Sequence, residues 1–218
     1  RITAMNTFFF SLRDEEVPLL FPEERREEIV AEVRGMRHAS TDLGCSLNWP
    51  VALRVKLGYK LKKHPARTGD CYNNWEGLKG WELKNDLPTT DGVAFWVPRL
   101  APKSNSKSVD EQITLAEEFR KHYKLPAYFL PSRDADGLVQ GYGTAAVLTG
   151  CILHHKKVTG ERIPLDCFWT RTDTLSAGGY RLRLGSFRSD GLGCGRWGGD
   201  VRDGGFGFFP AGWEALVA

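Results

Sequence analysis

The sequence predicts an α+β fold, with two or three helices and a small, irregular antiparallel sheet. Three stretches carry apolar residues at helical spacing, and two short β-branched stretches lie between turn residues. From Phe168 onward the chain becomes Gly-rich and alternates apolar with polar residues, which is a strand signature.

Pro22 to Met36 reads as the first helix. Pro22 suits a helix start, Glu23 and Glu24 suit its positive end, Ile29, Val30 and Val33 share a face, and Gly35 marks the expected end. A second helix is expected from about Val109 to Lys124. Ser108 and Glu111 have capping-box spacing, Ile113, Ala116, Phe119 and Tyr123 recur at helical intervals, and Pro126 follows. Thr144 to Lys157 is apolar and ends in lysines, which favours a helix over a buried strand. Val51 to Val55 and Val93 to Val97 read as strands, and Pro98 to Ser108 as an exposed connection.

The 218 residues are 41% hydrophobic and 26% charged, enough for one domain over 1–218 with a real core. A net charge of +3 does not by itself select nucleic acid or a membrane. No run of about 18 apolar residues suggests a membrane span. Cys45, Cys71, Cys151, Cys167 and Cys194 are scattered without a CxxC pair, so buried thiols are expected in place of zinc or a disulfide framework. No cofactor and no metal are expected.

The C-terminal segment differs in kind. Half of the 24 glycines fall between Gly178 and Gly212. Tyr180 to Leu184 alternates, with Leu182 and Leu184 on one face and Arg181 and Arg183 on the other. Between Phe168 and Trp213 there is no Lys, Glu, Gln, Asn, Met, Ile or His. Charge there is carried by arginines and aspartates alone. Replacement of adenines in the coding DNA would leave this pattern, and so would a GC-rich, Gly-rich structural segment.

Trp169-Thr170-Arg171-Thr172, then Tyr180 to Gly185, Gly191 to Gly193, Trp197 and finally Gly205 to Phe209 carry a resemblance. This order resembles the C-terminal part of variable proteins of diversity-generating retroelements, where a W-[ST]-x-[ST] strand opening precedes Gly-punctuated strands of a C-type lectin fold. Thr159 to Leu165 (TGERIPL) is similar to the lead-in of archaeal and candidate-phylum members. The resemblance covers roughly the last 60 residues. It implies a C-type-lectin-like domain with 168–213 as its variable segment, no catalytic residue, and a macromolecular ligand, most simply a protein. It further implies display at a cell or virion surface. Asp190, Asp200 and Asp203, intermixed with the arginines, dilute the positive field and argue against a nucleic-acid partner.

In such families adenines of template codons are randomised, which never yields Trp, Lys, Glu, Gln or Met. Trp169 and Trp197 are therefore scaffold by that resemblance, with Leu182, Leu184, Gly185, Leu192 and Gly207. The displayed, variable positions it implies are Arg171, Arg183, Phe187, Arg188, Ser189, Asp190, Cys194, Arg196, Asp203, Phe206 and Phe208. Phe206 and Phe208 at strand spacing suit a core equally well. Display at Arg188, Arg196 and Phe206 predicts that substitution there costs less than about 1 kcal/mol.

A second reading is a Mg²⁺-dependent nuclease. Asp70 with Glu82-Leu83-Lys84 spells D…ExK, two carboxylates for a metal and a lysine for the attacked phosphate. Lys56, Lys60, Lys62, Lys63, His64 and Arg67 could steer phosphate towards it. Asp134 and Asp136 have the look of a calcium loop without its later glutamate. His154 and His155 beside Lys156 and Lys157 suit the negative end of a helix.

Overall fold

The structure, a computed structural model, describes residues 8–56, 83–84, 90–176, 178–189, 191–197 and 205–216. The mixed α+β character is as expected, with three helices among the described residues. Asp70 and Glu82 of the nuclease pattern, and Asp190 and Asp203 of the variable set, lie outside the described residues.

The first sheet joins four antiparallel strands: β1 (Phe9–Leu12), β2 (Ala52–Val55), β4 (Gly92–Trp96) and β11 (Ala211–Ala215), in the order β1-β2-β4-β11. The second contains β7 (Trp169–Ser176), β8 (Arg181–Arg188) and β9 (Gly191–Trp197) as an antiparallel meander. Short β10 (Phe206–Gly207) pairs parallel with the start of β7, and β3 (Leu83–Lys84) pairs with its end. A hairpin of β5 (Ser132–Arg133) and β6 (Val139–Gln140) stands apart.

Helix α3 (Ala145–Thr159) packs between the two sheets. Its residues from Ala145 to Leu153 are all buried, which explains an apolar run with little one-sided character. One side meets Phe9, Leu53, Ala94 and Trp96, and the other meets Leu182, Leu184, Leu192 and Cys194. Each such aliphatic side chain removed from water contributes roughly 1.5–3 kcal/mol. Thr144 caps the helix through a hydrogen bond that its hydroxyl accepts from the Val147 amide.

The opposite face of the first sheet presents Ala52, Val93, Phe95 and Val97 to helices α1 (Arg26–Asp42) and α2 (Val109–Tyr123). Strand β4 is thus buried on both faces, which is why Gly92 to Trp96 reads as one apolar run. The Ser108–Glu111 capping box of α2 is fully formed: the Ser108 hydroxyl accepts from the Glu111 amide, and the Glu111 carboxylate accepts from the Ser108 amide. Lys124 then leaves the helix in a left-handed conformation, with φ of 55°.

Two expectations are corrected. Helix α1 does not stop at Gly35 but runs on to Asp42. Gly35 is a contact point and not a cap, because a Cβ there would lie 2.5 Å from the Tyr123 carbonyl oxygen at the end of α2. The 98–108 connection is not simply exposed either. Ala101 and Ser104 are buried and hydrogen-bond to the backbone of Phe208.

Gly35 therefore gives a sharp test of the α1–α2 contact. Alanine improves helix propensity by about 1 kcal/mol, yet its methyl would meet backbone that cannot step aside. Gly35→Ala should lower stability by about 1–2 kcal/mol net, read as a lower urea midpoint; a raised midpoint would refute the close approach.

Candidate ligand-display face

The β7–β8–β9 meander has one face turned to α3 and one turned away. On β8 the alternation holds as expected: Leu182 and Leu184 are fully buried, while Arg181 and Arg183 lie on the other face, half-buried. Cross-strand registration sets Arg171 of β7 opposite Arg183, and Arg183 opposite Gly195 of β9.

That registration builds a stack of alternating cations and rings. The Arg183 guanidinium lies 4.4 Å from the centre of the Trp169 ring and 5.1 Å from that of Phe206. Arg171 lies 5.2 Å from the centre of the same Phe206 ring and 4.9 Å from that of Trp197. Each contact of this kind is worth about 0.5–2 kcal/mol, more where water is excluded. Arg171 is wholly buried and donates to the Lys107 carbonyl oxygen at 3.2 Å. Gly193 and Gly195 make room: a Cβ on the first would sit 3.0 Å from Trp169, and on the second 2.9 Å from Arg183.

The expected variable residues separate sharply by burial. Arg188, Ser189 and Arg196 are exposed and Arg183 is half-buried. Phe187 and Cys194 are buried against α3, Phe208 is buried beneath the first sheet, and Phe206 and Arg171 are buried in the stack. A side chain without surface presents nothing to a ligand, so display by Arg171, Phe187, Cys194, Phe206 and Phe208 is corrected to a supporting role. The scaffold residues Leu182, Leu184 and Leu192 are fully buried.

The exposed residues sit at the two ends of the β8–β9 hairpin. Arg188 and Ser189 are at the turn, where the Arg188 Nε donates to the Asp166 carbonyl oxygen at 3.1 Å. Arg196, together with exposed Tyr180, is at the far end, where Arg181 pairs with Trp197. Gly191, opposite Arg188, lies five residues before Arg196 on β9, and at about 3.3 Å per step those ends are roughly 17 Å apart.

Elsewhere the arrangement is structural. Asp173 of β7 accepts hydrogen bonds from the Gly141 and Gly143 amides, both at 2.9 Å, and so shapes the entry to α3. Burial raises its carboxyl to about 6 against the opposing pull of those amides and of Arg181. A cavity of 540 Å³ lies beside it, walled by Ala94, Trp96, Leu148, Cys151 and Trp213, with Tyr128 at its edge. Nothing in the sequence marked this space, because its walls come from four separate segments.

Asp134 uses its carboxylate to accept from the Asp136 and Leu138 amides, which makes it a turn-former in the β5–β6 hairpin. His154 and His155 lie inside α3, and burial lowers both to about 4, so as neutral rings they add nothing to the helix dipole. Among the described residues no three His, Cys, Asp or Glu side chains gather as a metal site, and no helix is long and apolar enough to cross a membrane. Of the nuclease pattern only Lys84 is described, as backbone of β3.

No protein-family model, no curated protein and no solved structure matches the chain.

The burial pattern divides substitution effects that the sequence alone grouped together. Phe206→Ala should cost about 3–5 kcal/mol, as a large ring lost from a packed site. Arg188→Ala and Arg196→Ala should each stay within about 0.5 kcal/mol. Urea denaturation of the three variants checks this, and equal costs at all three positions would contradict it.

Proposed function

We propose that the chain is a hypervariable ligand-binding protein of the kind diversified by retroelements, built on a C-type-lectin-like fold. It binds a macromolecular ligand, a protein, and does so without catalysis. Arg188 and Ser189 at one end of the β8–β9 hairpin, and Arg196 with neighbouring Arg183 at the other, carry the contact.

The observation that supports this best is the sorting of the segment lacking Lys, Glu, Gln and Met. Its apolar and aromatic side chains hold the sheets together, while exposed polar side chains ride on both ends of one hairpin. Two contact points roughly 17 Å apart exceed the reach of a small molecule. They suit a protein surface of the usual size, about 800 Å² per partner. The Trp169 strand opening and the Gly-punctuated strands β8 and β9 agree with the same reading. Arginine is a frequent interface anchor because its planar head hydrogen-bonds while its stem buries apolar area.

Sequencing the DNA on both sides of the gene tests the proposal. The expected result is a near-copy of the stretch encoding 168–213 beside a reverse transcriptase gene. The two copies should differ mainly at adenines, with differences at the codons for Arg188, Ser189 and Arg196 and none at those for Trp169 and Trp197. Complete flanking sequence without a near-copy would sink it.

A further inference from the structure

Behind the first sheet, on the side of α1 and α2, two buried carboxyl groups converge on one phenol. Glu32 of α1 is 2% exposed and Glu214 of β11 is 5% exposed. The Tyr128 hydroxyl, in the segment after α2, lies 2.9 Å from Glu32 Oε1 and in hydrogen-bond contact with Glu214 Oε1. The second oxygen of Glu214 is held by Arg25 at 3.0 Å. The second oxygen of Glu32 is buried and has no hydrogen-bond partner.

Proton counting makes this arrangement informative. A phenol carries one proton and donates one hydrogen bond, whereas an ionised carboxylate only accepts. Two ionised carboxylates on one Tyr128 would leave one contact as oxygen against oxygen with no hydrogen between them. One carboxyl must bring a proton of its own. Arg25 compensates a charge on Glu214, and nothing equivalent touches the bare oxygen of Glu32, so the proton rests on Glu32. Hydrogen bonds then run one way, from Glu32 to Tyr128 and from Tyr128 to Glu214.

We infer that Glu32 and Glu214 hold one titrating proton between them, in addition to the phenol proton of Tyr128, forming a proton-dependent clamp that ties α1 to the terminal strand β11 below neutral pH. The clamp has a mechanical setting that fits. Among the described residues β11 is an edge strand that pairs with β4 alone; Ala211 and Trp213 pack on its α3 side, and Glu214 is its tie to α1. Tyr128 and Trp213, the neighbour of Glu214, both border the 540 Å³ cavity. Loss of the proton sets two negative groups against each other across Tyr128. The inference stands apart from ligand display and does not depend on it.

The groups that face Glu32 are few and come from each element packed on it. Burial and the charge of Glu214 raise its carboxyl to about 7, Glu28 adds to the rise, and the Tyr128 hydrogen bond and Arg25 oppose it. The Tyr128 phenol is pushed well above its ordinary range by burial and by its bond to Glu214. A glutamate in the unfolded chain releases its proton near 4.5. The folded chain therefore binds more protons between those two values. The stabilisation is complete below pH 4.5 and is lost as pH rises through about 7.

Glu32→Gln tests the clamp, since an amide keeps an N–H for Tyr128 but does not titrate. The unfolding constant of the parent, relative to the variant, should rise between pH 5 and pH 8 by on the order of 100-fold. Curves that stay parallel over that range would overturn the inference. The infrared carbonyl band of a protonated carboxyl should be present in the folded parent at pH 6, fade as pH rises through neutrality, and be missing in Glu32→Gln. A parent without that band at pH 6 also overturns it, whether or not the variant folds.

Discussion

The link from Gly205 to Ala211 is the part on which both sheets depend, because it sends three phenylalanine rings in three directions. Phe206 enters the aromatic stack outside the second sheet, Phe208 the core under α1 and α2, and Phe209 the core around α3. All three are essentially without exposed surface. A seven-residue stretch that also starts β11 in one sheet and holds β10 in the other leaves little freedom in how the sheets sit. Its polar backbone is matched group by group. The Trp169 amide donates to the Gly205 carbonyl oxygen at 2.6 Å, Gln112 Nε2 to that of Phe206 at 3.1 Å, and Ala101 to that of Phe208 at 2.8 Å. Val97 and Leu130 take the carbonyl oxygens of Pro210 and Ala211 at 3.0 Å each. A buried link without such partners would cost more than its rings return.

The arginine stack follows from that link. Two guanidinium groups brought together across neighbouring strands repel one another, and the Phe206 ring, 5.2 Å from Arg171 and 5.1 Å from Arg183, gives each a favourable contact. Trp169 and Trp197 close the pile at either end. The ring face supplies attraction to each guanidinium without adding charge. It also explains why a buried arginine is tolerated at position 171, since an unmatched buried charge would be prohibitive. Beneath it Gln112, fully buried, receives a hydrogen bond from Tyr142 and donates to Ser104, joining α2 to the same knot.

How much of this was legible in the sequence depended on whether the governing contact was local. The capping box at Ser108 and Glu111, the cap at Thr144 and the alternation through Leu182 and Leu184 are interactions within a few residues, and each could be read directly. Gly35 misled because a glycine near a helix end and a glycine under a crossing helix look alike until Tyr123 is placed against it. Arg171 misled for the same reason. Arginine is usually a surface residue, and the distant Phe206, Trp197 and Lys107 carbonyl help make a buried site for it. The Glu32–Tyr128–Glu214 grouping draws on residues about a hundred positions apart, so no local pattern could announce it.

These same constraints bear on where such a protein can change. A ligand surface that is to be varied must ride on backbone whose position does not depend on the varied side chains, since ordering a loose loop on binding would consume affinity. In the second sheet that independence comes from the inner leucines, the glycines under Trp169 and Arg183, and the rings from 206 to 209. Arg188, Ser189 and Arg196 are exposed, outside the core clusters that hold both sheets and outside that set of supports. Arg171 and Phe206 are inside it. Varying them would alter the platform and not the message, so diversity confined to the ends of the β8–β9 hairpin is what the packing permits.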